Sequence, residues 1–309
     1  MDKPLIPSNL NTLPWPQETA QETSHSPLRW QHPGSNICLD FHGDPVTARL
    51  VVFSDGNHHM ALEAALKAFH KTHPDVNDIF YATTPPNVLL NYLKSGALSL
   101  GNLVLSRRPH VFISPANVLN QLQALGMITS HQAFMQSRGN VLLIRKGNPK
   151  QIYAIEDLLR DDVRLFLSNP ETEKASYQVY SQSISALGKE AGLDADALNQ
   201  LLIDRTRICF GDLIHHREAP QCLYDGRADV AMLYYHLALR YSRIFPEEFD
   251  FVPLGGDREH PQPSPGNLSS TYHVGVIDDG GEFGLALQHF LMSDITTELY
   301  YAHGLRRPD

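Results

Sequence analysis

Arg49-Leu50-Val51-Val52-Phe53-Ser54-Asp55-Gly56-Asn57 sets the reading of the chain. A short apolar run with two adjacent β-branched residues, stopped by four turn formers, is the pattern of a buried parallel strand that ends at a turn. From His58 to His70, Met60, Leu62, Ala65, Leu66 and Phe69 recur at helical spacing, and Pro74 forbids continuation. The pattern then repeats outward. Asp78 to Ala82 is a strand closed by Thr83-Thr84-Pro85-Pro86, and Asn87 to Lys94 is a helix followed by Gly96. Val111 to Ile113 is a strand and Asn117 to Leu125 a helix. Strands alternating with such helices predict βαβ units in a parallel sheet covered on both faces.

A second block starts near Gly139. Strands are expected over Asn140–Ile144, Val163–Leu167, Thr206–Phe210, Asp229–Leu233 and Phe249–Leu254. Helices are expected over Ile155–Leu159, Ser176–Leu187, Leu198–Leu202 and Glu218–Leu223. A Pro/Gly/Ser loop, Gly255 to Ser270, leads to a strand over Tyr272–Ile277 and two closing helices, Phe283–Met292 and Asp294–His303. Residues 1–45 are rich in Pro, Ser, Thr, Asn and Gln without apolar periodicity. They read as an extended or disordered arm, with Trp15 and Trp30 available to pin it and a stray strand over Ile37–Phe41.

The 309 residues suit about two domains, and 25 basic against 34 acidic residues give a net charge of −9. That balance argues against non-specific nucleic-acid binding, and no run is long enough to insert in a membrane. Three cysteines, Cys38, Cys209 and Cys222, make no disulfide framework and no CxxC pair. No secretory signal is read at the start. The chain is therefore expected in the periplasm if a leader has been removed, and in the cytoplasm otherwise.

The ordered series of Val52-Phe53-Ser54-Asp55-Gly56-Asn57, the Thr83-Thr84 turn, Lys94-Ser95-Gly96-Ala97 and Val111-Phe112-Ile113-Ser114 resembles the type II periplasmic-binding-protein fold. Within that fold it resembles the molybdate/tungstate-binding proteins of ABC importers. Leu167-Ser168-Asn169-Pro170-Glu171 with Ala175-Ser176-Tyr177, Asp225 to Ala231, and the ending from Phe290 through Leu305 extend the resemblance over roughly Arg49 to Pro308. It implies an α/β chain of two Rossmann-like lobes joined by a hinge. Lobe one would be 46–136 plus 254–309, and lobe two 137–253. It also implies a solute-binding protein, not an enzyme, that holds a small oxyanion such as molybdate in an inter-lobe cleft. An ABC permease would be its partner, it would need no cofactor, and a monomer is expected. Helix N-termini and neutral donors would hold the anion without a counter-charge. The matching positions are Asn57, His58, Thr83, Thr84, Ala175, Ser176 and Tyr234, each of which also reads as an ordinary cap or core residue.

Departures from that pattern leave alternatives open. Asp55, His58 and His59 read first as a polar helix start with solvated rings, with a metal site or a metal-dependent hydrolase as the lesser alternatives, and an ionised Asp55 would repel a dianion. The inserted segment Leu98 to Pro109 carries Arg107-Arg108, which could clasp a carboxylate or phosphate. Asp212 with His215-His216 is a second metal-like cluster, where neighbouring histidines on a strand would face opposite ways. A cytoplasmic ligand sensor on the same lobes is the other functional class. No nucleophile elbow, Walker loop, dinucleotide fingerprint or HExxH is present.

Overall fold

The computed structural model describes residues 41–100, 103–212 and 214–308. The arm over 1–40, with Trp15, Trp30, Cys38 and most of the expected Ile37–Phe41 strand, lies outside the described residues. Two compact units emerge, one of 41–138 with 270–308 and one of Gly139–Ser269.

In chain order the first unit carries β1 (Phe41–His42), β2 (Leu50–Ser54), α1 (His59–Thr72), β3 (Ile79–Thr83), α2 (Pro86–Ser95), β4 (Leu98–Leu100), β5 (Leu103–Leu105), β6 (Val111–Pro115), α3 (Ala116–Ala124) and β7 (His131–Ser137). The second carries β8 (Asn140–Arg145), β9 (Leu165–Leu167), α4 (Lys174–Glu190), α5 (Ala195–Ile203), β10 (Ile208–Phe210), α6 (His215–Tyr224), β11 (Val230–Tyr234), α7 (Tyr235–Ile244) and β12 (Phe249–Pro253). The chain then returns to the first unit with β13 (Thr271–Val276), α8 (Gly284–Leu291), α9 (Asp294–Ala302) and β14 (Leu305–Arg306).

The first unit's sheet runs β1-β3-β2-β6-β13-β7-β14. Only β3, β2 and β6 pair in parallel, and β1, β13 and β14 run antiparallel to their neighbours. Side chains alternate along β2. Leu50 and Val52 join a core with Leu62, Phe69 and Leu287, while Val51 and Phe53 join Phe80, Leu89 and Leu119 on the other face. Both faces are therefore covered by helices, and every residue of β2 and β3 is buried. Pro86 opens α2, where its missing N–H costs nothing, and Gly96 closes it in the left-handed region at φ 77°.

The second sheet runs β10-β9-β11-β8-β12, with β10, β9 and β11 parallel and β8 antiparallel to both β11 and β12. The all-parallel expectation is corrected in both units: β13 and β8 pair antiparallel with the parallel core, and β7 and β12 pair antiparallel with them in turn. The second crossing also differs from the expected one near Leu254. Residues 254–269 belong with Gly139–Ser269, because the Asn267 side chain bonds both Leu254 and Asn140. The first crossing falls at 138–139.

Candidate functional site

In the first unit the parallel strands end in step. Ser54 lies opposite Thr83 on one side and Ile113 on the other. The turns beyond are clamped together, with Thr84 N–H donating to Ser54 O at 3.1 Å and Asp55 N–H to Ile113 O at 2.9 Å. Thr83 and Thr84 are both buried at this edge. Ser114 follows Ile113, and its hydroxyl is fully buried without a hydrogen-bond partner in the protein. The helices that leave β3 and β6 begin behind Pro85 and Pro115, whose side chains cannot cap. First-turn N–H groups there have no capping side chain to accept from them.

Asp55 is buried, and its carboxylate accepts from Asn57 N at 2.8 Å, capping a single 3-10 turn over Gly56–His58. Burial pushes its pKa up to about 6, so the carboxyl is easier to keep neutral than an ordinary aspartate. Asn57 is half-buried in that turn. His58 is not at the outer edge. It is fully buried, with Nε2 3.2 Å from Ser54 Oγ, Nδ1 3.0 Å from the Tyr300 hydroxyl, and its ring against Tyr272. His59 Nδ1 lies 2.9 Å from Gly56 O. Imidazoles committed in this way hold the turn's shape. The inserted arginines are also committed within the unit. Arg107 donates to Ala48 O, and Arg108 clasps the Asp278 carboxylate with two N–H groups at 2.5 and 3.1 Å.

The second unit has the same kind of edge. Gly211 N–H donates to Leu167 O at 3.1 Å beyond β9, and Tyr235 N–H to Gly139 O at 3.0 Å beyond β11. Ser168 directly follows β9, and its hydroxyl, like that of Ser114, is fully buried without a protein partner. Tyr234 ends β11 and is buried, its ring 5.3 Å from that of Tyr180 and stacked on His236. Ala175, exposed, and Ser176, half-buried, are the second and third residues of α4, whose N-cap Glu173 makes no side-chain cap.

Glu173 is turned to α6 instead, accepting from His215 N–H at 2.9 Å. Burial, with the nearby Glu218 as a smaller contribution, raises its pKa to about 7. His215 and His216 begin that helix and do not lie on a strand, a correction to the sequence reading. The His215 ring is buried and stacked on Phe166 at 5.0 Å, and burial lowers its pKa to about 3. Asp212 gives its N–H to Glu218. Among the described residues, no group of three or more His, Cys, Asp or Glu side chains is arranged to hold a metal.

The structure thus gathers Asn57, Thr83 and Thr84 at one strand-end edge, and in the other unit sets Tyr234 against Tyr180, in the second turn of α4. Ser114 and Ser168 were not singled out by sequence reasoning. A serine leaving a buried strand was a visible signal, but only burial shows that it lacks a partner.

A family model described as bacterial extracellular solute-binding protein matches residues 50–306. Among solved structures, the sulfate-binding protein SubI from Mycobacterium tuberculosis H37Rv superposes with a TM-score of 0.61 at 15% identity, covering 84% of this chain and 87% of that one. The Azotobacter vinelandii periplasmic molybdate-binding protein gives 0.57 at 15%, covering 84% and 100%. Peb3 from Campylobacter jejuni gives 0.58 at 14%, also covering 84% and 100%. At such identities these likenesses bear on the fold alone. The thiosulfate-binding protein of Escherichia coli (strain K12) is 38% identical over 60 residues, 19% of this chain and 18% of that protein, so the match spans less than a fifth of that relative. Matched over most of its length by the family model, and sharing the two-lobe α/β fold of these neighbours, the chain belongs to the bacterial extracellular solute-binding proteins.

Proposed function

We propose that this protein captures a small tetrahedral oxyanion, of the molybdate, tungstate, sulfate or thiosulfate kind, in the periplasm and delivers it to an ABC-type permease. The observation that carries the reading is two fully buried hydroxyls without protein partners, Ser114 in the last two residues of the parallel strand β6 and Ser168 directly beyond β9. In α/β sheets, ligands bind beyond the carboxyl ends of the strands. Neutral donors and uncapped helix amides there hold an anion without a counter-charge. In the first unit the donors are Thr83, Thr84, Asn57, Ser114 and the first-turn N–H groups of α2 and α3. In the second they are Ser168, Ser176, the Ala175 N–H and the Tyr234 hydroxyl. Each step is binding only; no bond is made or broken.

Calorimetry with molybdate, tungstate, sulfate, thiosulfate, phosphate and Zn²⁺ in turn tests this. One of the oxyanions is expected to bind, and Ser114→Ala to weaken it about tenfold, since a hydrogen bond to a charged group contributes about 1.5–3 kcal/mol. Binding of Zn²⁺ alone, or an oxyanion affinity indifferent to both Ser114→Ala and Ser168→Ala, would overturn the reading.

A further inference from the structure

We propose that Cys209 and Cys222 are a redox pair that closes to a disulfide in the folded protein. Cys209 lies on β10, the edge strand of the five-stranded sheet, and Cys222 on α6, which packs on the same sheet. The Cys222 thiol is buried and points at the partly exposed Cys209 sulfur 3.9 Å away. The two sulfurs need to approach by only about 2 Å to reach bonding distance, a movement of the size of a side-chain rotation at Cys209.

The two partners are chemically unequal. The Cys222 S–H hydrogen bond, aided by Arg227, lowers the Cys209 pKa, while that hydrogen bond with Cys209, and then burial, raise that of Cys222. Cys209 is therefore the thiol that attacks first. Its thiolate displaces one sulfur of an external disulfide (oxidised glutathione or a protein oxidoreductase disulfide), releasing a thiol and forming a mixed disulfide. Cys222, losing its proton, then attacks the Cys209 sulfur and expels the second thiol. The protein loses two electrons and two protons, and the oxidant is reduced to two thiols. An extracellular family meets such oxidants as a matter of course. The bridge would pin the open edge of the second sheet to the helix that covers it, and it stands independently of the anion reading.

The full chain is incubated with oxidised glutathione, alkylated under denaturing conditions and mapped by mass spectrometry. The expected result is a loss of about 2 Da, one linked peptide pair joining Cys209 to Cys222, and alkylation at Cys38 alone. Cys222→Ser is expected to stop at a glutathione adduct on Cys209. Because that variant could misfold, Cys38→Ser serves as the second test and is expected to form the same bridge. Full alkylation of both Cys209 and Cys222 in the oxidised sample, or linkage of either to Cys38, would overturn the proposal.

Discussion

The two strand-end edges are built on the same plan but treat their helix amides differently. In the first unit, prolines precede α2 and α3, and the surroundings are hydroxyls with a single carboxyl, Asp55, already engaged by Asn57 N. In the second unit the protein supplies its own carboxylates. Glu173 takes the first amide of α6 and Glu218 that of Asp212. An edge whose amides are filled internally has less to offer an anion. On the proposed reading the first unit therefore keeps more donors open to an anion, and the second offers Ser168, Tyr234 and the opening turn of α4.

The largest effect expected concerns what makes the second unit a unit. Asn267 accepts from the Asn140 N–H at 2.8 Å and from the Asn140 amide at 3.1 Å, and donates to Asn140 O and Leu254 O at 2.9 and 3.0 Å. Asn267→Ala strands several buried polar groups at once and should destabilise the protein by about 3–5 kcal/mol in a denaturant melt. A loss below about 1 kcal/mol would mean that residues 254–269 are held some other way.

Next come the two raised carboxyls. An acid whose folded pKa lies above its unfolded value binds more protons when folded, so its contribution falls as pH rises through the window. For Asp55 that window runs from about 4 to about 6, and for Glu173 from the ordinary glutamate value to about 7. Asp55→Asn and Glu173→Gln keep an acceptor and remove the charge. Each should raise stability at pH 7 by roughly 1–3 kcal/mol and flatten that part of the stability-versus-pH curve. An unchanged pH profile in either variant would show that the carboxyl is solvated.

The smallest effect separates the edges directly. Ser168→Ala and Tyr234→Phe should each weaken oxyanion binding by roughly 0.5–1.5 kcal/mol, less than Ser114→Ala, with melting temperature nearly unchanged. A reversed order would assign the dominant contacts to the second unit.

Much of the fold was legible because strands buried on both faces announce themselves as unbroken apolar runs, as in Leu50–Phe53 and Val230–Leu233. Among the strands that were missed, β4 and β5 lie in the segment read only as an insertion, and two others lack that signature. His131–Ser137 is only partly buried and largely polar, and Leu305–Arg306 is too short to show a period. The helix at His215 was placed three residues late, at Glu218, and it carries Pro220 inside. Nothing local in 254–269 says which unit owns it; bonds between residues 127 apart decide. The site was legible as a set of turns. The inward commitment of His58, the carboxylate that occupies α6, and the partnerless serines depend on burial, which one-dimensional pattern does not carry.

The position of β13 has a consequence for how the chain is made. It lies between β6 and β7 in the first sheet, although 130 or more residues of the other unit separate it from both. During synthesis, every strand of the second sheet leaves the ribosome before the missing central strand of the first one does. The later-encoded unit is then the earlier one able to close, and β6 and β7 wait with open edges until residues 271–276 arrive.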